Sequence, residues 1–173
     1  DREEIESLCE EAAQGEVLSP ANFNCPGQIV VAGHAKAVQR AVDKVNERGK
    51  RAVMLPVSAP FHSPLMKPAA ERLEKDLAKV PVQELRVPVV TNVEADINAS
   101  KDRVKDLLVR QVFHPVRWEE SMRTLLAQGF TRFIELGPGA ALSGFMKRID
   151  KSAQMLNVAD VASLEATVKA LGS

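Results

Sequence analysis

Tyrosine is absent from the 173 residues, tryptophan occurs once, and aromatic residues make up only 4% of the chain. Lysine and arginine do not gather into a tract either, so an aromatic-plus-basic platform for nucleic acid is not expected. Charge of one sign is also missing. The 23 basic residues balance 23 acidic ones, and no net field steers the chain toward nucleic acid or a membrane surface. No apolar run approaches the roughly 20 residues of a membrane span. Cysteine is scarce, and Cys9 and Cys25 fall in no metal-ligand or Cys-x-x-Cys spacing. With no secretory hydrophobic region, a reducing cytoplasmic setting is the expectation. The length suffices for one sizeable domain or two small ones with a real core.

What is present reads as an α/β chain. D-R-E-E places Asp1 as a helix cap with Glu4 as its capping-box partner, and Ile5, Leu8, Cys9 and Ala12 follow at helical spacing. A chain that opens on a cap, with no Met and no strand ahead of it, reads as cut from something longer. E-V-L-S-P-A-N-F and Q-I-V-V-A-G flank N-C-P-G, where Pro26 and Gly27 supply the dihedrals of a type II turn, so a hairpin is expected. Val38, Ala41, Val42 and Val45 mark a second helix, stopped by Gly49. R-A-V-M-L-P-V then reads as a strand. The order α-β-β-α-β becomes the ferredoxin-like βαββαβ unit once a strand is added in front.

Past a seam near Val57 the pattern changes, giving a first unit over 1–57 and a second over 58–173. Ser63-Pro64 is an N-cap with Pro at the first helical position, opening a helix to about Val80. V-P-V-V-T-N reads as a strand and E-A-D-I-N as a strand or turn. Two helices, around Asp102–Phe113 and Val116–Ala127, are parted by His114-Pro115. F-T-R-F-I-E-L is a strand ending in G-P-G, A-L-S-G-F-M-K-R-I a helix, M-L-N-V a short strand, and a last helix runs through Ala170. Helices alternating with short apolar strands suggest a mostly parallel sheet under helical cover.

Of the three histidines, His34 follows a strand in V-A-G-H and reads as a turn residue, and His114 before Pro115 as a linker or cap. His62 is placed differently, at the tip of a strand-to-helix connection, where α/β folds put functional groups. The helix N-terminus beside it disfavours an imidazolium, and a neutral ring is what a general base must be. Local sequence leaves a catalytic and a structural histidine equally open there. No serine sits in a Gly-x-Ser-x-Gly elbow: Ser143 is flanked by Ala141 and Phe145. Cys25 has no basic neighbour to activate it. The histidines lack the pairing and carboxylates of a metal site. G-P-G-A-A-L-S-G could offer N–H groups to an anion, but it lacks the Walker lysine and the dinucleotide fingerprint; a turn needing small residues is the plainer reading.

Four stretches together carry a resemblance: N-F-N-C-P-G-Q-I-V-V-A-G-H, V-S-A-P-F-H-S-P-L-M-K-P-A, L-V-R-Q-V-F-H-P-V-R-W and I-E-L-G-P-G-A-A-L-S-G-F-M-K-R-I. From Asp1 to about Asn157 the chain closely resembles the malonyl-CoA:acyl carrier protein transacylases. The resemblance implies an α/β fold made of a ferredoxin-like small subdomain, here lacking its first strand, and the C-terminal part of an α/β-hydrolase-like large one. It implies a ping-pong acyltransferase of fatty acid biosynthesis. A serine takes malonyl from malonyl-CoA and yields it to the phosphopantetheine thiol of acyl carrier protein, with no cofactor besides the thioester substrate.

On this resemblance His62 is the catalytic base and the backbone carbonyl of Gln111 holds its ring. Asn24, Gln28 and Phe61 become candidate pocket residues; Phe61 resembles the residue that related polyketide acyltransferase domains use to admit malonyl rather than methylmalonyl. The family's Gly-Gln-Gly segment, serine elbow and carboxylate-reading arginine have no counterparts in this chain. The resemblance therefore implies a histidine without its nucleophile, inactive alone, with a separate chain as a candidate source of the missing part. An acyltransferase piece of a polyketide synthase and a non-catalytic binding module are the competing readings.

Overall fold

The computed structural model describes residues 2–172, so the Asp1 cap expected from the sequence lies outside the described residues. Helix α1 (Arg2–Ala13) turns its Leu8, Cys9 and Ala12 inward. Strands β1 (Leu18–Cys25) and β2 (Gln28–Gly33) form an antiparallel hairpin. Its turn is made by Pro26 and Gly27, and Gly27 holds φ +74°, as a type II turn requires. Helix α2 (Ala35–Glu47) ends ahead of Gly49 at φ +70°, the left-handed exit that glycine adopts without a Cβ penalty. Leu8, Cys9, Ala12, Leu18, Ala37 and Ala41 close into one buried cluster. Arg40 fastens the two helices. Its guanidinium donates to the carbonyls of Ala12 and Ala13 at 2.7 and 2.8 Å, satisfying groups that the end of α1 leaves bare.

The strand expected over 51–57 does not form. That segment pairs with no strand among the described residues, and Val53, Met54, Leu55 and Val57 are exposed. A strand is satisfied only by a neighbour, unlike a helix, which closes its own hydrogen bonds. In a split β-α-β unit the last strand lies beside the first, and among the described residues no strand precedes α1.

Beyond the segment a short 3₁₀ turn (Pro64–Met66) runs into α3 (Lys67–Leu77). Ser63 stands at the N-cap position, but its Oγ donates to the Pro60 carbonyl at 2.7 Å instead of capping a backbone N–H. Two-residue strands β3 (Val89–Val90) and β4 (Ile97–Asn98) pair antiparallel around a tight turn. Helices α4 (Val104–Gln111) and α5 (Trp118–Ala127) follow. Strand β5 (Arg132–Leu136), α6 (Ala141–Ile149) and β6 (Gln154–Val158) make a β-α-β unit with β5 parallel to β6, and α7 (Val161–Leu171) ends the described chain.

The mostly parallel sheet expected for the second unit is therefore not present as one sheet. The described residues hold three two-stranded sheets, and only β5–β6 is parallel. Strand β1 also pairs with chain beyond the seam expected near Val57: Phe23 N–H donates to Val116 O and Val116 N–H to Ala21 O, both at 2.8 Å. That pairing fixes the α4–α5 connection, Val112–Arg117, against the hairpin.

Candidate active site

His62 lies on the loop ahead of the 3₁₀ turn, on unpaired chain rather than at a strand tip. Its backbone holds φ +58°, a left-handed conformation rare and strained for a residue with a Cβ. The surroundings hold it there: Ser63 is fully buried and tied back to Pro60, and Pro64 fixes the next φ.

The imidazole Nδ1 lies 2.8 Å from the backbone carbonyl oxygen of Gln111. A carbonyl only accepts, so Nδ1 carries the hydrogen and the neutral ring keeps its lone pair on Nε2. Gln111 is the last residue of α4, whose terminal carbonyls have no partner within the helix. Arg110 O receives the N–H groups of Phe113 and His114 at 3.3 and 3.1 Å, and Val109 O that of Val112 at 3.2 Å, which leaves Gln111 O for the histidine. The structure thus brings together His62 and Gln111, two residues separated by 49 positions.

A cavity of about 490 Å³ opens beside His62, lined among others by His114, Lys67, Glu6, Ser19 and Phe113. His114, read from the sequence as a linker, stands in this cavity with its ring 4.4 Å from that of Phe113. Burial, with Arg110 and Lys67 nearby, lowers its pKa below the ordinary imidazole value. The Ser19 Oγ is buried with no hydrogen-bond partner among the described residues. Neither Ser19 nor Lys67 stood out in the sequence; one comes from β1 and the other from the start of α3, and only the fold sets both on one cavity. A smaller cavity of about 260 Å³, away from His62, lies between the β3–β4 ribbon and α5.

The other candidates fall elsewhere. Asn24 and Gln28, at the turn end of the hairpin, do not line the cavity beside His62. Gln28 instead accepts from Arg148 at 3.2 Å, and Arg148 also donates to Pro26 O at 2.6 Å. Phe61 adjoins His62 in the chain with its side chain half exposed, and it too is not among the cavity's walls. His34 is structural: its Nδ1 accepts from Val17 N–H at 2.9 Å beside the reciprocal backbone bond, again 2.9 Å. Both cysteines are buried, and burial together with Glu6 and Glu10 pushes Cys9 up to about 11, far from a reactive thiolate. No group of three or more metal-ligating side chains occurs among the described residues.

The G-P-G-A-A-L-S-G turn is likewise structural. Glu135 already fills the N-terminus of α6, accepting from Leu142 N–H at 3.1 Å, Ser143 N–H at 2.8 Å and Ser143 Oγ at 2.6 Å. Partial burial opposes ionisation of that carboxyl, but the three donors outweigh it and its pKa is lowered.

The acyl transferase domain family matches residues 2–169. The malonyl CoA-acyl carrier protein transacylase of Bacillus subtilis is 45% identical over 159 residues, which cover 91% of this chain and 50% of the relative. That of Escherichia coli K12 is 49% identical over 146 residues, 84% of this chain and 47% of the relative. Among solved structures, the Xanthomonas oryzae malonyl-CoA:acyl carrier protein transacylase superposes with a TM-score of 0.94 at 42% identity, over 98% of this chain and 55% of that one. A malonyl-transacylase solved in complex with a type II polyketide acyl-carrier protein superposes at 0.95 and 43%, with the same coverage. The chain spans about half the length of the curated relatives it matches.

Proposed function

The chain belongs to the acyl transferase domain family, and from that premise we propose that it supplies the histidine half of a malonyl-transfer site in fatty acid biosynthesis. The observation that carries this reading is the 2.8 Å pairing of His62 Nδ1 with the Gln111 carbonyl, which leaves Nε2 to take a proton.

A serine from family sequence outside this chain gives its hydroxyl proton to His62 Nε2 as its oxygen attacks the malonyl thioester carbon. The C–S bond breaks, and coenzyme A leaves as a thiol with the proton from Nε2. The second half runs in reverse. The carrier's pantetheine thiol yields its proton to Nε2, sulfur attacks the seryl ester, and the serine oxygen recovers the proton. A carbonyl behind the ring stabilises an imidazolium less than a carboxylate would, which suits an exchange in which a thiol must also leave and attack.

In this reading malonyl-CoA and acyl carrier protein are the partners, the thioester is the substrate, and no cofactor takes part. The setting is cytoplasmic; no helix among the described residues is long and apolar enough to cross a membrane. The family division falls near Val57, with the small subdomain before it and part of the large one after it. Phe61, Asn24 and Gln28 border the acyl pocket once the remaining family sequence is in place.

The test is His62→Ala in a protein of the relatives' full length. Malonyl transfer is expected to fall by roughly 10²–10⁴-fold, the usual contribution of a general base, with the fold retained. Unchanged transfer would refute the role. Mixing this chain with the complementary N-terminal part is expected to restore transfer that neither shows alone; malonyl transfer by this chain alone overturns its dependence on an outside serine.

A further inference from the structure

The carbonyl that orients His62 sits at the end of a helix, and its position is only as fixed as that helix. One carboxylate clamps α4 along its length. Glu94 Oε2 accepts from Arg103 Nη2 at 2.6 Å and Glu94 Oε1 from Arg110 Nη1 at 2.7 Å. Arg103, the N-cap residue just ahead of α4, and Arg110 in its last turn lie about two helical turns apart, so the two oxygens tie the start of the helix to its end. Arg110 also reaches Asp106 at 3.2 Å. Glu94 itself is anchored. Arg117 Nη1 donates to its carbonyl at 2.9 Å, and its turn is closed by Thr91 N–H to Asp96 O at 3.1 Å and Ala95 N–H to Thr91 O at 2.8 Å. Arg110 directly precedes Gln111, so the inner arm of the clamp ends one residue from the carbonyl that His62 uses.

We propose that Glu94 is a positioning residue for His62: by holding Arg103 and Arg110 it fixes the rotation of α4, and with it the Gln111 carbonyl that selects the imidazole tautomer. The inference rests on the reading of His62 as the base. A clamp of partly exposed ion pairs adds little to global stability, so its effect is local to the last turn of α4. Local displacement matters in a site where a shift of about 1 Å can cost about 100-fold in rate.

The test is nitrogen NMR of the ¹⁵N-histidine-labelled chain. In the unsubstituted protein His62 shows an Nδ1-protonated tautomer. Glu94→Gln is expected to mix the tautomers and draw the two ring-nitrogen shifts together, while His34, held by Val17 N–H, keeps its shifts as an internal control. Arg110→Gln breaks the same tie from the helix side and must reproduce the change. In the full-length protein Glu94→Gln is expected to lower kcat for malonyl transfer about tenfold with KM within about twofold. Unaltered His62 signals in folded Glu94→Gln or folded Arg110→Gln overturn the proposal. If one variant fails to fold, the other decides; if both fail, Glu94 is a folding residue and the proposal falls. The spectroscopic arm needs no turnover. A failure of His62→Ala to impair transfer therefore refutes the catalytic reading separately, while the tautomer response still judges Glu94.

Discussion

At position 62 the backbone conformation and the side chain make opposite demands. The left-handed φ of +58° suits glycine, and holding it with a Cβ costs on the order of 1–3 kcal/mol. His62→Ala keeps that strain, whereas His62→Gly relieves it. Urea unfolding is expected to find His62→Gly more stable than His62→Ala by about 1 kcal/mol, although both lack the imidazole. Equal midpoints would mean that the loop relaxes and stores no strain. The sequence marks this position because its signals are local: a histidine just ahead of Ser-Pro at a helix start. The Gln111 contact entered through the family resemblance alone, since a backbone carbonyl leaves no trace in residue type. Glu94 had no signal at all. Its partners lie nine and sixteen positions away, and only the fold aligns them.

Among the elements, the helices were legible and the sheets much less so. The apolar spacing in α1 and α2 and the glycine at Gly49 mark elements that close their own hydrogen bonds. The stretch 51–57 has the composition of a strand, yet composition cannot supply the neighbour that a ladder needs. The hairpin did supply one, and it sets a tight limit at its far end. A Cβ at Gly33 would stand 2.1 Å from Val17 O and 2.8 Å from Leu18 Cα, both backbone atoms that cannot swing aside. Gly33→Ala is therefore expected to destabilise by about 1–3 kcal/mol, as overpacking does. Gly144, inside α6, meets nothing within 4 Å. There Gly144→Ala is expected to stabilise by about 0.5–1 kcal/mol through helix propensity. Thermal unfolding of the two variants should move in opposite directions; a shared direction would contradict the contact geometry.

The molecule as a whole carries no net charge near neutrality, so its response to acid rests on individual groups rather than on general repulsion. Two sets should act in sequence. Burial, then Arg110 and Lys67, lowers the pKa of His114 from 6.5, so the folded state prefers the neutral ring. The unfolded chain then binds more protons. The stability contributed is complete above pH 6.5 and is lost as pH falls through the lower folded value. The carboxyls of Glu94 and Glu120, hydrogen-bonded chiefly by Arg110 and Arg117, are held below their ordinary 4.5. Their contribution has the same sign, but it is present above pH 4.5 and fades only below it. Urea midpoints followed from pH 8 to pH 4 should decline first below 6.5 and again below 4.5. His114→Gln should flatten the first decline and spare the second, while Glu120→Gln, which loses the carboxylate that accepts from Arg117, should weaken the second and spare the first. If His114→Gln left the decline below pH 6.5 intact, the neutral ring at the cavity would not be its source. The acid response would then have to come from groups other than His114.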